Sequence, residues 1–481
     1  MQRIQPGEEQ ALLGVVATRQ TEALARATLP AHTLMQRAGL AVAKLAMAIA
    51  PHAQRIWIAC GPGNNGGDGL EAAVHLCNWG KEPIVTWLGE LGHISPDTLA
   101  SHERAVSAGV TFSHNAPTDV QLCIDALLGI GANTREPQTQ MMAWIGQIND
   151  SGLPILAVDM PTGLDANTGM TTNLHVKATH TLSLLTLKPG LFTGHGRDAS
   201  GTVWLDDLKV PKSLLQSIRP EAMLLAQPLP TVRPHASHKG TFGDLAVVGG
   251  APGMTGAALL AASAALHAGA GRVFVGLLDG GALSVDTSQP ELMFRPVDTL
   301  DFSAMTVVCG CGGGDAVKTI LRKVLMDSSA VVIDADALNA ISEDRSLQAL
   351  VTARAARAAA TVLTPHPLEA ARLLGCTSSQ VQQDRLAAAA QLAQRFACTI
   401  ILKGSGTVIT APHQTPIINP TGNARLATGG TGDVLAGMVG AKLAAGTPAF
   451  QAACDAAYQH GQIADEWPST AVLTASKLAV Q

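Results

Sequence analysis

The sequence is short of aromatic side chains, which make up 3% of its 481 residues and include a single Tyr. Charged residues reach only 14%, with a formal net charge of -5. There is no run of Lys and Arg, and no basic stripe interleaved with aromatics. That excludes the electrostatic footprint of a nucleic-acid-binding protein. No apolar run reaches the roughly 18–20 residues that span a bilayer. The longest candidates, 38–50 and 257–266, are interrupted by Lys44 and Ser263. Residues 1–9 carry charges where a secretory leader needs an apolar core. A cytoplasmic protein with no membrane partner is therefore expected. The eight cysteines include no CxxC pair. Cys309 and Cys311 lie two apart, without the second pair that a zinc site needs. All eight read as reduced thiols.

What is present is a 47% hydrophobic chain rich in Ala and Gly. Such a core suits helices packed on a parallel sheet. At roughly 100–200 residues per domain, two or three domains are expected.

Helical spacing fills 11–50. Arg55–Cys60 then reads as a buried strand. It runs into Gly61-Pro-Gly-Asn-Asn-Gly-Gly-Asp-Gly69, and a helix is predicted over 70–79. Further strands are predicted at 83–88, 120–124 and Ile155–Val158, with helices at 97–108 and 138–149. Asp125 and Asp159 follow the last two strands. This interleaving predicts a doubly wound parallel sheet with its site at the strands' C-terminal ends. Five prolines fall within 208–234, which places a domain boundary there. The pattern then restarts, with strands at 244–248, 273–276, 306–309, 330–333, 361–363 and 399–402.

The glycine nonamer matches neither the GxGxxG fingerprint nor a Walker loop. Its glycines let backbone approach a ligand, and amides at a helix start can hold phosphate. As a nonamer it is specific, and it resembles that of the NAD(P)H-hydrate epimerases. Ile124-Asp125-Ala-Leu-Leu-Gly129, Val158-Asp159-Met-Pro-Thr-Gly-Leu164 and Leu187-Lys-Pro-Gly-Leu191 resemble family motifs in the family's order. The resemblance covers roughly 10–215. It implies that Asn64, Asn65, Gly66, Gly67 and Asp68 line a hydrated cofactor, NADHX or NADPHX. The loop Gly129, Ile130, Gly131, Ala132, Asn133, Thr134 and Arg135 would close over the same ligand. Asn65, Asp125 and Thr162 would hold K+, and Asp159 would be the acid/base residue. Asp125 alone can also be read as a turn cap, and Asp159 as a turn former before Pro161. Lys188, before Pro189, reads as a surface lysine and is given no role.

In the second half, Gly430-Thr-Gly-Asp433 opens an apolar helix. Its amides would form an anion hole for a transferring phosphate. Lys403-Gly-Ser-Gly-Thr407 follows a strand and can wrap a nucleotide. This half, about 230–481, resembles the ADP/ATP-dependent NAD(P)H-hydrate dehydratases, which are ribokinase-like. Lys239–Asp244, Gly253–Ala257, Asp334–Asn339 and Leu363–Glu369 carry the resemblance further. It implies that Ala257, Gly314, His366 and Asp433 contact the hydrate, with Asp433 catalytic. Lys403, Gly404, Ser405, Gly406, Thr407 and Gly432 would contact ADP or ATP, with Mg2+ on its phosphates. His366 can also be read as a helix-start residue, and Asp334 and Asp336 as structural. Where the family has Gly-Pro-Gly-Leu-Gly, this chain has Gly310-Cys-Gly-Gly-Gly314.

The expected architecture is α/β: a Rossmann-like epimerase domain over 1–215, a linker over 216–230, and a ribokinase-like dehydratase domain over 231–481. The expected enzyme is a bifunctional isomerase and lyase that acts on small molecules and forms a homo-oligomer. The rival readings are a ribokinase-like small-molecule kinase and a scaffold that has lost catalysis.

Overall fold

The computed structural model describes all residues except 132–138, 216, 231 and 282. The chain divides into two compact units. One comprises 1–5 and 10–222, the other 6–9 and 223–481.

The first unit is built on one twisted sheet. From one edge its strands are Gln2–Arg3, Thr202–Asp206, His180–Leu184, Ile155–Val158, Leu122–Ala126, Arg55–Cys60, Glu82–Trp87 and Thr111–Ser113. All pairs are parallel except the one made by Gln2–Arg3. The inner strands read as unbroken apolar runs because helices cover both faces. Chain order reverses between Arg55–Cys60 and Leu122–Ala126. A crevice opens at such a switch point.

Helix Asn64–Asn78 leaves directly from the first of these strands. It therefore begins six residues before the predicted 70–79 helix, inside the glycine nonamer. Glycine is a poor helix former, but here close packing demands it. A Cβ on Gly66 would sit 2.0 Å from the Gly61 carbonyl oxygen, and one on Gly69 would sit 2.6 Å from Ala126 Cβ. Segment 11–50, read as helical throughout, contains the strand Gln10–Leu12 and then two helices, Val15–Arg26 and Thr33–Ile49.

The second unit has a longer sheet. Met293–Phe294, Arg272–Leu277, Asp244–Gly249, Thr306–Cys309, Ala330–Ile333, Ala360–Leu363 and Thr399–Leu402 run parallel in that order. Val408–Thr410 and Ile417–Ile418 follow as antiparallel strands. Ala222–Leu224, inside the stretch read as a linker, is a strand parallel to Ile417–Ile418. The order reverses between Asp244–Gly249 and Thr306–Cys309. Helices Thr255–His267 and Thr431–Ala444, both Ala-rich, pack against this sheet and form its main core with it. Among the described residues, no helix is long and apolar enough to cross a membrane.

Candidate active sites

In the first unit a cavity of about 420 Å³ opens at the switch point. Three elements converge on it: the start of helix Asn64–Asn78, the turn after Leu122–Ala126, and Asp159 after Ile155–Val158. Asn64, Asn65, Asp68, Gly129, Ile130, Gly131 and Asp159 all line it. Gly66 and Gly67 are buried beneath the lining, where a Cβ on Gly67 would meet Met35 at 2.6 Å. Ala132, Asn133, Thr134 and Arg135 lie outside the described residues.

Asp125 and Thr162 are locked together below the cavity. Thr162 Oγ1 donates to Asp125 Oδ1 at 2.7 Å, and Thr162 N donates to Oδ2 at 2.8 Å. The Asp125 carboxyl is fully buried, and burial pushes it up to about 6. Among the described residues no cationic side chain pairs with it. Asn65 stands beside Gly129, as does the Asp159 carboxyl: a carbon added to Gly129 would lie 3.1 Å from Asn65 Oδ1 and 3.3 Å from Asp159 Oδ2. Asn65 Nδ2 is buried with no hydrogen-bond partner. Such a donor awaits an acceptor.

Asp159 adopts φ 67°, in the left-handed region that non-glycine residues rarely occupy. Strain of this kind persists where the surroundings over-determine it. Here Leu184 N donates to Asp159 Oδ1 at 3.2 Å, and Lys188 Nζ forms a short ion pair with the same oxygen. Lys188 is completely buried. Its reading as a surface lysine is corrected. The Pro189–Leu191 turn carries it inward, and Ser183 Oγ and Leu184 O take its other protons.

Helix Val15–Arg26 lies within the segment read as helical, but its contribution to the site was not read from the sequence. It places Thr18, Arg19, Glu22 and Arg26 in the cavity lining. The three charged residues fall at helical spacing on one face, the signal that would have found them.

In the second unit, parallel strands deliver the site residues at their C-terminal ends. Gly310–Gly314 follows one strand, Asp334 the next, and Lys403 another. Cβ atoms are excluded at Gly310, Gly312 and Gly313. One on Gly310 would sit 2.0 Å from the Asp334 carbonyl oxygen, and one on Gly312 would sit 2.8 Å from Ala257 Cβ. The loop is tied down at Gly314 N, which donates to Asp336 Oδ2 at 2.8 Å.

Lys403 Nζ donates to Asp334 Oδ1 at 2.7 Å, and Thr364 Oγ1 donates to the same atom at 2.7 Å. Burial opposes the Lys403 charge, but Asp334 and Glu369 outweigh it and hold the ammonium above its ordinary value. A Cβ on Gly432 would lie 3.2 Å from Lys403 Nζ. The lysine thus reaches the start of helix Thr431–Ala444. Asp433 sits in that first turn. Burial, and then Asp334, push its carboxyl up to about 6, while a hydrogen bond from Cys311 pulls the other way. Cys311 Sγ and carboxylate oxygens of Asp334 and Asp433 lie within 4.8 Å of one another. Three such atoms could hold a metal, but Lys403 already supplies a positive charge there.

His366 caps helix Pro367–Leu374. Its Nδ1 accepts from Leu368 N at 3.1 Å and Glu369 N at 3.3 Å. Buried Arg385 donates to the carbonyl oxygens of Leu402 at 3.1 Å and Lys403 at 3.2 Å, fixing the start of the 403–407 loop. No sequence motif marked Arg385.

A family model described as YjeF-related protein N-terminus matches residues 31–190, and one described as NAD(P)H-hydrate dehydratase matches 245–480. Over 452 residues the chain is 36% identical to the bifunctional NAD(P)H-hydrate repair enzyme Nnr of Escherichia coli (strain K12), covering 90% of this chain and 85% of that protein. The chain belongs to the bifunctional NAD(P)H-hydrate repair enzymes. Its second half is also 46% identical over 254 residues to the ADP-dependent (S)-NAD(P)H-hydrate dehydratase of Neisseria meningitidis, covering 51% of this chain and 84% of that one. A crystal structure of the ADP/ATP-dependent NAD(P)H-hydrate dehydratase from Bacillus subtilis aligns at TM-score 0.43 and 29% identity, over 52% of this chain and 91% of that one. Within this repair-enzyme family, kinship to small-molecule kinases is a relationship of fold only.

Proposed function

We propose that the first unit interconverts the R and S forms of NADHX and NADPHX, and that the second dehydrates the S form to NADH or NADPH at the expense of ADP or ATP. The observation that supports this most is that one chain carries two sites: Asp159 with Lys188 at the first-unit cavity, and Asp334 with Lys403 beside the helix start that bears Asp433 in the second.

The hydrate carries a hydroxyl on a ring carbon next to nitrogen. Protonating it lets water leave and gives an iminium ion. Water returning on the other face inverts the centre. Asp159, in the cavity wall, is the acid/base residue for this exchange. Asn64, Asn65 and Asp68 would hold the cofactor above Gly66 and Gly67, its phosphate on the free amides at the helix start; Gly67 N already donates to Gly63 O. Gly129, Ile130 and Gly131, which line the cavity, would contact the cofactor as well.

Asn65, Asp125 and Thr162 would hold K+. The donor set fits: an amide, a hydroxyl and a carboxylate all offer hard oxygen ligands, and among the described residues no cationic side chain pairs with the buried Asp125 carboxylate. Bound there, the ion would compensate that charge and stiffen the turn under the cavity.

In the second unit, Ala257, Gly314 and His366 would contact the hydrate. Lys403, Gly404, Ser405, Gly406, Thr407 and Gly432 would hold the adenine nucleotide, with Mg2+ shielding its phosphates. Asp433 takes the proton of the hydrate's hydroxyl as a phosphoryl group transfers to it. Amides of the helix start stabilise the moving phosphoryl oxygens. Phosphate then leaves where hydroxide would leave poorly, and loss of the neighbouring proton restores the dihydronicotinamide ring. Homo-oligomeric assembly in the cytoplasm completes the reading.

Two variants separate the activities. Asp433→Ala is expected to lose dehydration while still binding nucleotide and still epimerising. Asp159→Asn is expected to lose epimerisation while still dehydrating the S form. Full epimerisation by Asp159→Asn, or full dehydration by Asp433→Ala, would overturn the assignment.

A further inference from the structure

Asp159 has two carboxyl oxygens, and they stand in different surroundings. Segment 182–188 holds the residue from one side. Asp159 N donates to Leu182 O at 2.8 Å, and Asp159 Oδ1 accepts from Leu184 N at 3.2 Å and from Lys188 Nζ. Oδ2 accepts no hydrogen bond from the described residues. It lies beside Gly129 in the cavity lining, 3.3 Å from where a carbon on that glycine would sit. One oxygen is occupied from behind, and the other is left to the cavity.

Lys188 itself does not reach the cavity. It is completely buried and is not among the residues that line the cavity. An ammonium has three protons to donate. Here they go to Asp159 Oδ1, to Leu184 O at 2.9 Å and to Ser183 Oγ at 3.2 Å. Ser183 Oγ gives its own proton to Thr186 O at 2.7 Å, so toward Lys188 it is an acceptor. The backbone is bent on both sides of this cluster: Asp159 has φ 67° and Leu185 has φ 66°. Non-glycine residues stay in the left-handed region where their surroundings over-determine them. A buried ion pair is a weak device for stability, because apolar residues of similar volume often serve as well. A pair set directly behind the acid that faces the cavity has a use that such residues would not supply.

We propose that Lys188 is a positioning residue for epimerisation. It occupies Oδ1, stops the carboxyl group from turning about its Cβ–Cγ bond, and leaves Oδ2 as the oxygen that exchanges a proton with the hydrate's hydroxyl. This rests on the epimerase reading of the cavity. Supporting hydrogen bonds of this kind keep a reacting group at its working position, and a shift of about 1 Å can cost about 100-fold in rate. On that reading the hydrate is held by other residues, those of the helix start and of the Gly129 turn. Loss of the Lys188 cation therefore acts on the proton exchange and not on binding.

The test follows epimerisation of the separated NADHX epimers without nucleotide, so that the second unit is idle, and expresses kcat per folded molecule from unfolding measurements. The wild-type chain must epimerise above the spontaneous rate; if it does not, the epimerase reading itself fails. With an active wild type, Lys188→Met is expected to lower kcat about 100-fold for both epimers, while KM stays within about threefold. Lys188→Arg, which returns a cation to Oδ1, is expected to recover about a tenth of the wild-type kcat or more. If Lys188→Met does not fold, Ser183→Ala decides, since it keeps the ion pair and removes one acceptor behind it; kcat is then expected to fall about tenfold at unchanged KM. Wild-type kcat per folded molecule in Lys188→Met, or in Ser183→Ala where that variant decides, would overturn the proposal. So would a raised KM at unchanged kcat, which would make Lys188 a binding residue, or a Lys188→Arg chain no more active than Lys188→Met.

Discussion

Lys188, completely buried, holds its ammonium against Asp159, the acid that faces the first-unit cavity. Removing one partner of a buried pair strands the other and costs about 3–5 kcal/mol, whereas replacing both with neutral groups is far milder. Lys188→Met is therefore expected to lower the stability of the first unit by about that amount. Asp159→Asn added to it should recover most of the loss. Denaturant unfolding of the two variants checks this. Equal midpoints would show that the pair contributes no coupling.

Gly66 has no room for a side chain, with the Gly61 carbonyl oxygen 2.0 Å from where a Cβ would sit. That neighbour is backbone and cannot swing away. Gly66→Ala is expected to cost about 1–3 kcal/mol and to displace Asn65 and Asp68. Epimerisation should fall at least tenfold, while dehydration of the S form stays within twofold. Rate assays on separated epimers check the split.

A hydrogen bond from Cys311 opposes the rise of Asp433, whose carboxyl stands at about 6. If Asp433 is the base, as proposed, it works only when ionised. Dehydration is therefore expected to fall as pH drops through about 6. Cys311→Ala removes a bond that favours the ionised form, so the acid limb should move to higher pH. A limb that stays in place in a kcat/KM profile would show that the thiol does not tune Asp433.

The Asp125 cluster offers oxygen ligands to a monovalent cation. Ligand binding to the folded state alone raises its stability. Melting is expected to occur at higher temperature in KCl than in NaCl of equal ionic strength, and the difference should vanish in Asp125→Asn. The same shift in both salts would argue against K+ there.

Much of this was legible in the sequence because parallel strands are short apolar runs followed by turns that carry the chemistry. Arg55–Cys60 and Ile155–Val158 coincide with the strands read from the pattern, and Asp159 and Lys403 lie at strand ends as the pattern implied. What escaped depends on tertiary packing. Glycines 66, 67 and 69 read as a loop, yet they start a helix because the sheet approaches too closely for a Cβ. Lys188 read as surface because a lysine's burial depends on its partner, here 29 residues away. Arg385 works through backbone carbonyls, which leave no mark on a side-chain motif. Helix Val15–Arg26 falls in the segment read as helical, but its place in the cavity lining was not read, although Arg19, Glu22 and Arg26 share a face.

The most direct test of the account is recovery of reduced cofactor from an epimeric mixture of NADHX, with Mg2+, K+ and either ADP or ATP, followed by absorbance of the dihydronicotinamide ring. Complete, nucleotide-dependent recovery of NADH from both epimers is expected, with recovery halting at the S fraction in Asp159→Asn apart from spontaneous interconversion. No recovery with either nucleotide, or a stable phosphorylated product in place of NADH, would contradict it.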